Sequence, residues 1–139
     1  MPSRRILTFP GTPDGFVRAF ADLRVALDRH ALEQEPRYSS ELVFEEVVTN
    51  IIRHAYADDR EHAIEVALEL TDGAIVMRFE DDGVPFDPVH HPHIEHARSI
   101  LEARTGGRGL SLLRTRAHRL EYERTPNQRN RLTVTIGRR

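Results

Sequence analysis

Three short stretches of this chain carry polar residues whose types and spacings could do chemistry. In "EEVVTNIIRHAY", residues 45–56, Glu46, Asn50 and His54 recur every four residues. If the stretch is helical, Phe44, Val47, Val48, Ile51 and Ala55 share one face, and the polar residues form a slanted stripe along its flank. Glu46 and Asn50 can then converge on one ligand lying across the helix. An Asn carbonyl oxygen is a suitable hard donor for Mg2+, and a carboxylate one turn away can take a proton from a nucleophile. A plain solvated flank, with His54 at the negative end of the helix dipole, accounts for the same residues.

The second stretch is "FEDDGVPFDP", residues 79–88. Asp81 falls where an alternating strand runs out, and Gly83 permits the positive φ of a sharp turn. A strand-end carboxylate can accept a hydrogen bond from the exocyclic amine of a base, while a glycine lets a ring lie against backbone. A polar loop leaving a sheet is the plainer alternative. The third is "TGGRGLSLLR", residues 105–114, where glycines directly precede an apolar-periodic run. Bare backbone N–H groups at a helix N-terminus attract anions. The stretch is neither a Walker loop, since no Gly-Lys-Ser/Thr follows, nor a dinucleotide fingerprint after a strand. A flexible hinge would use the same glycines. In chain order the three stretches, with the segment between the second and third, supply a metal ligand and base, a base reader, a cover and a phosphate cradle.

Periodicity predicts the elements that hold these stretches. Ile6–Phe9 forms a first strand. Thr12 caps a helix with Pro13 in its first turn, and Phe16, Phe20, Leu23, Leu27 and Ala31 carry it over residues 13–33, with Pro36 as the break. A second helix runs from Ser39 or Ser40, either of which can cap it, to Tyr56. Ile64, Val66, Leu68 and Leu70, then Ile75, Met77 and Phe79, alternate on either side of Asp72-Gly73, the signature of a hairpin. Residues 82–106 hold Gly83, Pro85, Pro88, Pro92 and the histidines 90, 91, 93 and 96, with a short helix expected over 94–103. So long a connection inside a compact domain is typical of a lid. Its histidines read as a solvated loop rather than a metal site. Leu110, Leu112, Leu113 and Ala117 mark a third helix, and residues 120–124 and 131–136 a closing hairpin around Pro126-Asn127. The order predicts an α+β fold: a two-layer α/β sandwich with a mixed, mostly antiparallel sheet and helices on one face. One domain spans residues 1–139, with the lid at about 84–106.

Composition narrows the partners. Acidic and basic residues are interspersed to a net charge of -2, so no basic surface is announced and nucleic acid is not an expected partner. The absence of cysteine excludes disulfides, thiol chemistry and cysteine-based zinc sites. No apolar run follows Arg4-Arg5, and none approaches the roughly 20 residues of a membrane span. No membrane association is expected, and the expected location is cytoplasmic.

Read together, these motifs resemble the Bergerat-fold (GHKL) ATP-binding domains of histidine kinases, MutL and type II topoisomerases. Within that superfamily the chain is most similar to the stand-alone bacterial anti-sigma factor serine kinases. The resemblance rests on Glu46-x-x-x-Asn50 continued as "TNIIRHAY", on "DDGVPFDP", on "GGRGLSLLR" and on the closing "NRLTVTI". It implies ATP and Mg2+ as cofactors, with Asn50 binding the metal and Glu46 as general base toward a partner's serine. Asp81 and Gly83 would shape the adenine pocket, with Pro85 standing where the wider superfamily often has glycine. Gly107, Gly109 and Leu110 would form the phosphate cradle, with Arg104 and Arg108 as candidate phosphate contacts and His54 in support. The implied partners are a sigma factor and a STAS-domain anti-anti-sigma protein, and the implied assembly is a homodimer. A nucleotide-gated module that regulates a sigma factor or phosphatase by contact alone needs the same pocket. A histidine-kinase core is disfavoured, because no dimerisation helix with a phosphoacceptor histidine precedes the first strand.

Overall fold

The computed structural model of the chain describes residues 3–54, 56, 60–89 and 113–138. The elements run β1 (Ser3–Pro10), α1 (Pro13–Asp28), α2 (Gln34–His54), β2 (Ala63–Leu70), β3 (Ala74–Asp81), β4 (Arg119–Arg124) and β5 (Asn130–Gly137). Residues 113–116 are helical and lie within the third helix expected from the sequence. The strands form one sheet in the order β1-β2-β3-β5-β4.

Every neighbouring pair in this sheet is antiparallel, so the expectation of a mixed sheet is corrected. The reason lies in the two helices. They leave after Pro10 and return at Ala63, which pairs with Pro10, so the excursion comes back to the same end of the sheet. A parallel neighbour would need a crossover to the opposite end.

The first helix begins as expected: the Thr12 hydroxyl accepts the Gly15 N–H at 3.0 Å, and Pro13 fills a position whose N–H would be orphaned anyway. Gly15 itself is required by close approach, because a Cβ there would sit 2.0 Å from the Pro10 carbonyl oxygen. The helix stops at Asp28 rather than residue 33. Leu27 is its last fully buried side chain and Ala31 is exposed, so a longer helix would have no further face to bury. Pro36 does not act as a break between helices but sits in the first turn of α2, where proline is tolerated. Ser39 and Ser40 are therefore inside the helix and buried; the Ser40 hydroxyl donates back to the Pro36 carbonyl at 2.8 Å.

Both helices cover one face of the sheet. Phe44 of α2 is fully buried, with the rings of Phe9, Phe16, Phe20 and Phe79 at 6.1–6.2 Å centroid distances. That aromatic cluster, with Val43, Val47 and Val48, fixes the rotation of α2 about its axis. Asn50 is thereby turned inward at the end of the sheet where β3 finishes and β5 starts.

Candidate functional site

Strand alternation sets the floor of the site. On β3, Ile75, Met77, Phe79 and Asp81 share the inward parity, and on β5 so do Asn130, Leu132, Val134 and Ile136. Asp81 and Asn130 are register partners at the end of that ladder and are both buried, 3% and 5% exposed. The Asn130 side-chain N–H2 donates to Asp81 Oδ1 at 3.0 Å and to the Val84 carbonyl at 2.8 Å. Its Oδ1 accepts the Tyr122 hydroxyl at 2.5 Å, and the Phe86 N–H and the Arg124 guanidinium each at 3.2 Å. Arg124 also donates to the Gly83 carbonyl at 2.8 Å.

Asp81 Oδ1 receives a second bond from the Gly83 N–H at 2.8 Å. No described residue donates to Oδ2, which keeps its acceptor capacity. Burial pushes the Asp81 carboxyl above the usual range; the Asn130 and Gly83 bonds pull it back, Asp82 raises it and Arg129 lowers it. Asp82 itself is exposed, and its carboxylate lies 2.9 Å from His62 Nδ1, while the His62 ring stacks on Tyr56 at 4.1 Å.

Asn50, His54 and Asp81 line one pocket, together with Asn130 and Tyr122 and the apolar side chains of Val47, Ile51, Phe79, Phe86, Pro88, Leu113 and Leu132. A cleft of apolar walls with a few convergent polar groups is the usual form of a small-molecule site. Asn50 is only 9% exposed, yet no described residue hydrogen-bonds its side-chain amide. Solvent reaches that amide from the pocket: among the described residues the fully enclosed side-chain polar atom without a partner is the Tyr56 hydroxyl. The His54 ring lies against Phe86 at 6.4 Å.

The other predicted positions fare differently. Glu46 stands one turn before Asn50 on α2, half-buried, but does not line the pocket. Burial, then the neighbouring Glu45, raises its carboxyl, and Arg53 offsets part of this. Gly83 is buried and tied to Asp81, but no described glycine has a positive φ, so the expected left-handed turn is not what it provides. Pro85 is exposed in the loop after β3. Arg104, Gly107, Arg108, Gly109, Leu110 and the histidines 90, 91, 93 and 96 lie outside the described residues, as does most of the expected lid.

Asn130, Tyr122 and Phe86 were missed by sequence reasoning. One signal was present: counting back by twos from Ile136, Val134 and Leu132 puts Asn130 on the buried parity. A polar amide there needs an explanation.

Comparison with known proteins identifies the frame. Residues 9–136 match the family model of the histidine kinase-like ATPase domain. The chain belongs to this histidine kinase-like ATPase family. Within it, the chain is 33% identical over 99 residues to the serine/threonine-protein kinase BtrW of Bordetella bronchiseptica, covering 71% of this chain and 69% of that protein. A chain of the SiaB-SiaC complex from Pseudomonas aeruginosa shares the fold with a TM-score of 0.59 at 16% identity, over 96% of this chain and 89% of that one. The family is one of ATP-binding domains, and the pocket between α2 and the ends of β3 and β5 contains Asn50 and Asp81 of the motifs read from the sequence. No described helix is long and apolar enough to cross a membrane.

Proposed function

We propose that this ATPase-family domain is an ATP-dependent serine/threonine protein kinase that binds a sigma factor and phosphorylates a STAS-domain anti-anti-sigma protein. The observation that carries the reading is the pairing, in one pocket, of the Asn50 side-chain amide, which no described residue engages, with an acceptor oxygen on Asp81. These are the two groups an adenine nucleotide with a metal-bound phosphate tail requires: an acceptor for the exocyclic amine and a hard oxygen for the cation. The 33% identity to a protein named as a serine/threonine kinase supports transfer to a hydroxyl.

Mg2+ fits the donor set. No group of three His, Cys, Asp or Glu side chains among the described residues could hold a metal by itself. A Mg2+ ion bound through the Asn50 carbonyl oxygen, phosphate oxygens and water needs no such cage; when bound, it neutralises charge on the phosphates. Asp81 would accept the adenine amine through Oδ2, with Phe79, Phe86 and Ile51 supplying apolar walls for the ring. Glu46 would take the proton of the partner's serine hydroxyl as that oxygen bonds to the γ-phosphorus and the bridging oxygen departs with ADP. Burial raises the Glu46 carboxyl, which makes the carboxylate a stronger base than an exposed one.

The test is incubation with labelled ATP, Mg2+ and candidate STAS proteins. Label on a partner serine is expected, lost in Glu46→Ala while ATP binding persists; unchanged transfer in that variant would remove Glu46 as the base. Glu46 stands outside the pocket lining, which favours a second reading: a nucleotide-gated module acting by contact alone. Under that reading ATP binds and changes partner affinity, but no labelled serine forms. Self-association into a homodimer is part of the proposal and is checked by light scattering.

A further inference from the structure

Asn130 opens the closing "NRLTVTI" stretch, where the resemblance assigns it no role of its own, yet its side chain makes more hydrogen bonds in the pocket than that of Asn50 or Asp81. Its orientation is decided by chemistry. Asp81 and the Val84 carbonyl can only accept, while the Phe86 N–H and the Arg124 guanidinium can only donate. Flipping the amide would break all four contacts.

We propose that Asn130 is the positioning residue of the base pocket: it occupies one oxygen of Asp81, leaves the other for an exocyclic amine, and pegs Val84 and Phe86 in the same network. The inference rests on the nucleotide reading of this pocket and deepens it.

A cation at this register position would work less well. A buried arginine can engage both oxygens of a carboxylate in a fork and leave neither for a ligand. An apolar residue would leave the buried carboxylate with only the Gly83 N–H. An amide supplies one donor to Asp81 and sends its second to Val84. The charged groups that act on Asp81 are Asp82 beside it on the chain and Arg129 beside Asn130; the Tyr56 and Tyr122 phenols and the His54 ring face the same region. Among the described residues Asn130 is the sole side chain that donates to Asp81.

The test follows the Asp81 carboxyl by carbon-13 NMR in the unliganded protein, and the affinities for ATP and for its 6-oxo counterpart inosine triphosphate, in wild type, Asn130→Ala and Asn130→Asp. Removing a donor to the ionised form raises a carboxyl's titration. Asp81 is therefore expected to titrate at higher pH in Asn130→Ala and higher still in Asn130→Asp, where a second carboxylate faces it. The preference for ATP over inosine triphosphate is expected to fall about tenfold or more, with ATP binding carrying the loss. Unchanged Asp81 titration, or equal weakening of both nucleotides, would overturn the proposal and leave Asn130 a structural peg. Should Asn130→Ala fail to fold, the isosteric Asn130→Asp keeps the acceptor side of the network and gives the same readouts. A wild type that binds no ATP sinks the nucleotide reading, while the Asp81 titration in the free protein still decides whether Asn130 holds that carboxylate. A wild type that binds ATP beside unaffected variants sinks this inference alone.

Discussion

Two successive rungs of the β3–β5 ladder place a carboxylate opposite a nitrogen donor, and they do opposite things. Glu80 faces Arg131 on the side of the sheet opposite α1 and α2, with Arg131 Nε 3.1 Å from one carboxylate oxygen and Arg129 Nε 3.4 Å from the other. Asp81, one residue on, faces Asn130 under the helices. The outer carboxylate has both oxygens engaged by cations, and Arg131 is shared further with Glu123 at 2.7 Å. Near solvent such pairs are worth little and leave no acceptor unused. The inner carboxylate has one oxygen held by an amide and a backbone N–H, and the other available. A change of one residue along a strand reverses the face, and with it the surroundings: the same chemical group is a surface tie on one side and, in the function proposed above, a recognition element on the other.

Substitutions can break that contrast. The largest effect is expected for Asp81→Asn, which should weaken ATP binding on the order of 100-fold by removing a charged acceptor, measured by calorimetry. The same substitution should raise thermal stability at neutral pH. Because burial raises the Asp81 carboxyl in the folded state, its stability contribution is full at low pH and lost as pH rises through the folded titration. The advantage of Asp81→Asn in thermal melts should therefore be greatest near neutral pH and vanish in acid; an advantage that grows on acidification would contradict the sign.

A smaller effect is expected for Tyr122→Phe, which removes one donor to Asn130 Oδ1 while leaving Phe86 and Arg124 in place. The loss should be about 0.5–1.5 kcal/mol in denaturant unfolding, with ATP affinity reduced less than in Asn130→Ala. Arg131→Met on the outer rung should cost about 0–1 kcal/mol and leave nucleotide affinity unchanged. A marked loss of ATP binding there would mean the two rungs are coupled through the strand, and the contrast between faces would fail.

Much of this was legible in the chain. Alternation around Asp72-Gly73 located the central hairpin, since a period of two has only one reading when Ile64, Val66, Leu68 and Leu70 all need burial. Thr12-Pro13 located the start of α1, because capping chemistry is local. Pro36 misled because proline breaks a helix interior but suits a first turn, and which of the two applies depends on where the chain must turn to lay α2 on α1.

What the sequence determined by itself was therefore the set of local preferences: the elements, their buried faces, and the fact that Glu46, Asn50 and Asp81 were chemically unusual where they stood. Tertiary structure decided which of them meet. Asn50 and Asp81 are 31 positions apart in number, and Asn130 a further 49 beyond Asp81, so only strand order and register bring the three to one pocket. Glu46 stays outside its lining because the aromatic cluster around Phe44 sets the rotation of α2. Pairing across a sheet is a non-local choice, made by the packing of the whole core rather than by any stretch of chain.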